Sequence, residues 1–153
     1  MIQRVQSLYW LLSVVLLLIF YVSDFAFIKP VDASITLSAF YGIVSIPAGA
    51  YAVNLHTWPL HVAVLLPAFL TFVTIFFFKR RVLQIRLSIL TIMLELGLLG
   101  LAYFYYRMLA GGIEGLASLS ILYTLPIISV ILKVLAIFGV KRDIAILRSL
   151  SRL

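Results

Sequence analysis

The chain has 153 residues, of which 65% are hydrophobic and only 11% are charged, whereas soluble domains are about half apolar and a quarter charged. A soluble domain of this length could not bury so much apolar surface, so we expect lipid to surround most of the chain. The formal net charge of +7 does not indicate nucleic acid, because basic residues beside a membrane meet anionic lipid first.

Four stretches are apolar enough to cross a bilayer as helices, since a hydrocarbon core of about 30 Å needs roughly 20 apolar residues. They cover residues 7–22, 58–78, 87–106 and 116–140. The segment after the first stretch lacks the paired small residues that signal-peptide cleavage needs, so we interpret this stretch as a retained helix. The sequence therefore predicts an all-α integral membrane protein, a single domain over residues 1–153 built as an up-and-down bundle of four transmembrane helices.

The outer loop, residues 23–57, is the longest connection and is not simply hydrophilic. Residues 34–39 and 51–55 alternate polar and apolar side chains, which favours strands. Residues that favour turns lie between them, namely Gly42, Pro47 and Gly49. The pattern predicts a small β-hairpin on the outer surface, and an irregular loop lying on the headgroups is the alternative.

The C-terminal tail, residues 141–153, is expected to form an interfacial helix. Ile144, Leu147 and Leu150 recur at helical spacing, and the basic residues fall largely elsewhere. An apolar stripe flanked by basic residues favours a helix that lies flat at the membrane surface. We interpret the tail as a topology anchor, with a docking surface for a cytosolic partner as the alternative.

The positions of the basic residues predict the orientation, because Lys and Arg accumulate on the cytoplasmic side of membrane proteins. On the opposite side there are only Lys29 and Arg107, so we expect both termini and the turn between the second and third helices in the cytoplasm. Each basic residue near the anionic inner leaflet contributes about 1 kcal/mol of membrane affinity. The expected cytoplasmic anchors are Lys79, Arg80, Arg81, Arg86, Lys141, Arg142, Arg148 and Arg152.

Three cytoplasmic pieces carry a family resemblance. They are residues 1–9 (MIQRVQSLY), residues 79–87 (KRRVLQIRL), and the tail with KRD at 141–143, LRSL at 147–150 and RL at 152–153. Together they resemble a family of uncharacterised four-span membrane proteins from the Bacteroidetes. The resemblance implies a location in the bacterial inner membrane, and it implies no activity, substrate or catalytic residue.

Two ionisable residues fall inside the predicted spans, Glu95 in the third and Lys133 in the fourth, where insertion scales assign such residues about 2.5–3.5 kcal/mol each. Counted from the cytoplasmic ends of their helices, both lie roughly 12–13 Å deep. Antiparallel neighbours would bring the two charges to one level, so the sequence predicts an intramembrane ion pair. Ser88, Thr91 and Ser129 share these helix faces and extend the prediction to a polar seam.

Three roles for this pair are consistent with the sequence. The pair could fix the register between two apolar helices, which is the interpretation we favour. It could instead form a proton-linked or ligand-linked site, because membrane carboxylates often mark ion paths. In the third interpretation Lys133 snorkels to the inner headgroups and Glu95 finds a partner in another subunit.

The sequence predicts no catalytic, cofactor or metal site. The chain has no cysteine, which excludes disulfides, thiolate metal sites and a cysteine nucleophile. His56 and His61 lie too close together near one outer boundary to hold a haem between helices. We favour interfacial solvation for them over a metal site with Asp24 or Asp32. No glycine-rich loop leads from a strand into a helix, so a phosphate-binding cradle is not expected.

We therefore expect a non-enzymatic accessory or scaffold subunit of an inner-membrane complex. Its expected partners are anionic lipids and other integral membrane subunits or a second copy of the chain, and not nucleic acid. The alternative is a small transporter or lipid-binding protein that uses the polar seam around Glu95 and Lys133. That alternative predicts a cavity between the helices that connects to solvent.

Overall fold

The computed structural model describes residues 3–29, 34–46, 57–77, 80–112 and 116–150. The helices are α1 (Gln3–Val22), α2 (Trp58–Phe76), α3 (Arg81–Gly112) and α4 (Leu125–Leu150), with a 3₁₀ turn at Ile121–Thr124. The strands are β1 (Asp24–Lys29), β2 (Ser34–Ser38), β3 (Gly42–Ile46) and β4 (Leu116–Leu119).

Within these ranges, four helices are long and apolar enough to cross a bilayer. Only 28–33% of each span is buried inside the chain, so most of the apolar surface of the helices faces outward. Helix α1 packs against α2 and α4, and α3 packs against the same two helices, which closes the four into a bundle. The predicted four-helix architecture is therefore observed, together with a small antiparallel sheet.

Helix α3 is longer at both ends than the predicted 87–106. Its 32 residues rise about 48 Å, whereas a bilayer core is roughly 30 Å thick. The basic residues at its start are good helix formers, so the helix does not begin where the apolar run begins. At its other end Leu109 is buried in the main core, which stabilises the additional turns.

The predicted start of the fourth helix at residue 116 is wrong. Leu116–Leu119 forms β4, which pairs with β1, and α4 begins only at Leu125. The Ser120 hydroxyl accepts a hydrogen bond from the backbone N–H of Leu122 at 3.3 Å, which caps the intervening 3₁₀ turn. Pro126 lies in the first turn of α4. Backbone N–H groups in a first turn have no partner within the helix, so a proline there costs no helical hydrogen bond.

The predicted end of that helix at residue 140 is also wrong, and the tail, which is helical as predicted, continues α4 and does not form a helix of its own. Helix α4 continues without interruption to Leu150, and residues 151–153 lie outside the described ranges. No proline or glycine follows Gly139 in this helix, so nothing in the local sequence stops it. Burial of Asp143 against α1 also holds the final turns in the bundle.

The strands form one antiparallel sheet in the order β3-β2-β1-β4. Strand β2 agrees with the first predicted strand, so the irregular-loop alternative is wrong there. Its hairpin partner is β3 and not residues 51–55, which lie outside the described ranges together with Pro47 and Gly49. Gly42 has φ of 71°, and a Cβ there would lie 2.9 Å from Oγ1 of Thr57, so the turn into β3 requires glycine.

The sheet covers one end of the helix bundle. Ala26 and Ile28 of β1 face inward with Ile35 and Leu37 of β2, at the two-residue period of a strand. Cross-strand pairing places Ala26 opposite Leu37 and Ile28 opposite Ile35, and all four are buried. This inner face belongs to the same core as Leu60 of α2 and residues of α1 and α3. The sheet is therefore an integral part of the domain.

Candidate functional site

An ion pair lies in the interior of the bundle. The ammonium Nζ of Lys133 in α4 donates to Oε1 of Glu95 in α3 at 2.5 Å, and both side chains are 0% exposed. The structure therefore brings together the two residues that the sequence placed at one depth. Lys133 does not snorkel to a surface, because its whole side chain is enclosed.

Ser129 extends this pair into a hydrogen-bonded chain. Its hydroxyl donates to Oε1 of Glu95 at 3.0 Å and lies 2.5 Å from the hydroxyl of Ser13 in α1. A hydroxyl carries one proton, so the bonds are satisfied when Ser13 donates to Ser129 and Ser129 donates to Glu95. The Glu95 oxygen thus receives two donors from α4 and is connected through one of them to α1.

Helix α1 contributes a polar stripe that the sequence analysis missed. Gln6, Trp10 and Ser13 are spaced so that they fall on one face of the helix. Nε1 of Trp10 donates to Oγ of Ser88 at 3.1 Å, and Nε2 of Gln6 donates to Oδ2 of Asp143 at 2.8 Å. The predicted seam between α3 and α4 is therefore a seam of three helices.

The seam is closed. Ser13, Ser88, Thr91, Glu95, Ser129 and Lys133 are all buried, with at most 1% of each side chain exposed. The hydroxyl of Thr91 donates to the backbone carbonyl of Ser88 at 2.9 Å, so it satisfies itself within its own helix. Oε2 of Glu95 is buried and has no hydrogen-bond partner in the described part of the chain.

The family model described as Domain of unknown function (DUF4293) matches residues 2–153. The chain belongs to this family. Comparison with curated proteins and comparison with solved structures both gave no match. The residues matched by the DUF4293 model include the three pieces that carried the resemblance, apart from Met1, and the family description assigns no reaction, substrate or ligand.

Five of the eight expected basic anchors of this DUF4293 chain have described side chains, and four of those five are exposed. Arg80, Arg86, Lys141 and Arg142 are exposed, and Arg81 is partly buried. Nη1 of Arg81 is buried and has no hydrogen-bond partner in the ranges that the structure describes. Arg148 belongs to α4, and the remaining two, Lys79 and Arg152, lie outside the described ranges.

Of the two histidines, His61 lies in the described residues. Nδ1 of His61 lies 3.0 Å from the hydroxyl of Tyr21, so this ring is held by a neighbouring helix. Among the described residues, no group of three or more His, Cys, Asp or Glu side chains could hold a metal ion. His56 and Asp32 lie outside them.

Gly139 allows α1 and α4 to approach closely beside the Gln6–Asp143 bond. A Cβ at Gly139 would lie 3.0 Å from Cγ and 3.1 Å from Nε2 of Gln6. The Gln6 side chain cannot easily move away, because its amide is bonded to Asp143. Small residues have this role in many membrane helix interfaces.

We expect Gly139→Ala to lower the free energy of unfolding by about 1–3 kcal/mol through overpacking against Gln6. Gly100→Ala is the matched control, because a Cβ at Gly100 meets nothing within 4 Å. The control should be neutral or stabilising, since alanine favours a helix over glycine by about 1 kcal/mol. Thermal unfolding in detergent measures both, and equal midpoints for the two variants would contradict the close-approach argument.

Proposed function

We propose that this chain is a non-enzymatic multi-pass protein of the bacterial inner membrane that acts as an accessory or scaffold subunit of a membrane complex. The observation that carries the proposal is the closed seam. Its charges and hydroxyls are directed at one another between α1, α3 and α4 and are shielded from the surroundings. Such an arrangement fixes helices in place and offers no surface to a substrate.

The location rests on the four apolar spans and on the distribution of charge. Exposed Arg80 lies in the turn before α3 and exposed Arg86 lies in the second turn of α3, whereas exposed Lys141 and Arg142 lie in the last part of α4. Positive residues prefer the cytoplasm, so this end is inside and the sheet at the opposite end faces the periplasm. The two termini are then cytoplasmic, and the exposed basic side chains contact the anionic inner leaflet.

A second candidate is a small transporter with a proton-linked or ligand-linked site at Glu95. One observation favours it, namely the buried Oε2 atom that has no partner among the described residues. Buried polar atoms usually have a hydrogen-bond partner, so a water molecule, a proton or a ligand atom would satisfy this oxygen. The closed seam argues against it, because the residues that would line a path are enclosed.

A pull-down from native membranes tests the proposal. We expect a tagged chain, cross-linked in intact cells and extracted in mild detergent, to bring down a membrane protein in fixed stoichiometry. Mass spectrometry identifies that partner, and an untagged strain gives the background. Recovery of the chain alone, as a monomer or a homo-oligomer, would contradict the subunit role and favour the transporter.

A further inference from the structure

An apolar groove runs between α1 and α2 on the outside of the bundle. Its volume is about 530 Å³. Residues of α1 from Leu11 to Leu18 form one wall, and residues of α2 from Leu65 to Phe72 form the other. Every lining residue is apolar. The hydrogen-bonded seam occupies other helix faces, so the groove belongs to none of the sites described above.

The groove lies at the depth of the hydrocarbon layer. Both walls fall inside candidate spans, Val5–Val22 and Trp58–Phe76. Each wall covers about two helical turns, or roughly 11 Å along the bundle. Residues at the rim, such as Val15 and Leu65, are exposed, so a molecule in the surrounding lipid reaches the groove directly.

The lining favours an acyl chain over another helix. Helices associate in lipid through small residues that let backbones approach and through polar side chains that bond across the interface. This groove has one small residue, Ala68, which is buried at its base. The other lining residues are bulky Leu, Val and Phe, and these side chains keep the backbone of a docking helix at a distance. A flexible chain of methylenes instead follows such walls and gains dispersion contacts along its length.

A basic residue lies at the end of the bundle where α2 ends. Arg80 is exposed and follows the end of α2 by four residues. Arg80 therefore offers positive charge at the headgroup level of the end to which the Leu11 and Phe72 ends of the groove point.

We infer that the α1–α2 groove is a binding site for one acyl chain of an anionic phospholipid of the inner leaflet, with the lipid phosphate at the level of Arg80. Charge complementarity selects the anionic headgroup, and the apolar walls hold the chain. This inference rests on the membrane location in the proposed function and is independent of any protein partner.

The test measures phospholipid bound to purified protein. The chain is reconstituted in vesicles of equal parts phosphatidylglycerol and phosphatidylcholine, extracted again in mild detergent, and analysed by native mass spectrometry. We expect the wild-type protein to retain phospholipid enriched in phosphatidylglycerol. Protein without phospholipid, or with both lipids in the vesicle ratio, would overturn the inference.

Variants locate the lipid. Val15→Trp fills the groove from its rim and should abolish lipid retention, whereas Val134→Trp on α4, at a similarly exposed position, should retain the lipid. Leu65→Trp on the opposite wall is a second filling variant, which guards against a folding defect in the first. Retention of the lipid by both filling variants would overturn the inference. A wild-type dimer that dissociates when either filling substitution is made would also overturn it.

The headgroup is tested separately. Arg80→Gln should remove the preference for phosphatidylglycerol while an acyl chain still binds, and Arg142→Gln, another exposed basic residue, should keep it. An unchanged preference in Arg80→Gln would overturn the assignment of the phosphate. The pull-down result for the subunit role does not enter these measurements, so the two proposals fail independently.

Discussion

Lys133→Met is expected to lower the free energy of unfolding by about 3–5 kcal/mol, because it leaves the Glu95 carboxylate buried without an opposite charge. Both side chains are 0% exposed, so water cannot replace the missing ammonium group. In the described ranges Glu95 accepts hydrogen bonds from two side chains, Lys133 and Ser129. After the substitution Ser129 alone of these two remains. Thermal unfolding in detergent and the resistance of the fold to added denaturing detergent measure the loss.

Lys141→Met is the matched control for this prediction. It makes the same substitution in the same helix, two turns further on, at a position that is exposed. Exposed charges contribute at most about 1 kcal/mol, so the control should unfold close to the wild type. A comparable loss in both variants would show that the defect does not come from the buried pair.

Exchange of the two charges tests the pairing itself. The double variant Glu95→Lys/Lys133→Glu keeps one positive and one negative group in the seam, so it should recover part of the stability that either single change removes. Full recovery is not expected, because the hydroxyl of Ser129 now faces an ammonium group and must turn to accept. A double variant no more stable than the single ones would contradict a direct pairing of Glu95 with Lys133.

The pairing of Glu95 with Lys133 could be predicted from the sequence for a simple physical reason. A charge in an apolar helix is a strong signal, and the fixed rise per residue converts sequence position into depth. The third helix of the seam could not be found this way, because Ser and Trp are ordinary in membrane spans. The spacing of Gln6, Trp10 and Ser13 on one face was the signal available for α1.

The sheet shows where local patterns are insufficient. Leu116–Leu119 continues the apolar run of the fourth span, and its composition is as suitable for a helix start as for a strand. Its structure is decided by pairing with β1, where Lys29 lies opposite Leu116 across a long separation in sequence. Alternation did predict β2, since that strand has one face on the core and one face away from it.

Phe25→Ala is expected to lower the free energy of unfolding by about 3–5 kcal/mol, the usual loss for a buried phenylalanine. Phe25 is the additional residue of a β-bulge between Asp24 and Ala26, which explains why two successive residues of β1 are buried. Its ring is 0% exposed and stacks on Phe20 of α1, with centroids 5.3 Å apart. The side chain therefore fastens the sheet to the bundle.

Phe27→Ala on the same strand provides the comparison, because Phe27 is only partly buried and should tolerate truncation better. Thermal unfolding reports the total loss. In the proposed orientation, with the sheet on the periplasmic side, limited proteolysis of spheroplasts reports the sheet alone. If the sheet docks as a rigid cap, Phe25→Ala exposes it to protease while the spans stay protected, and Phe27→Ala remains resistant. Equal cleavage of wild type and Phe25→Ala would mean that the sheet is held by its strand pairing and not by the ring beneath it.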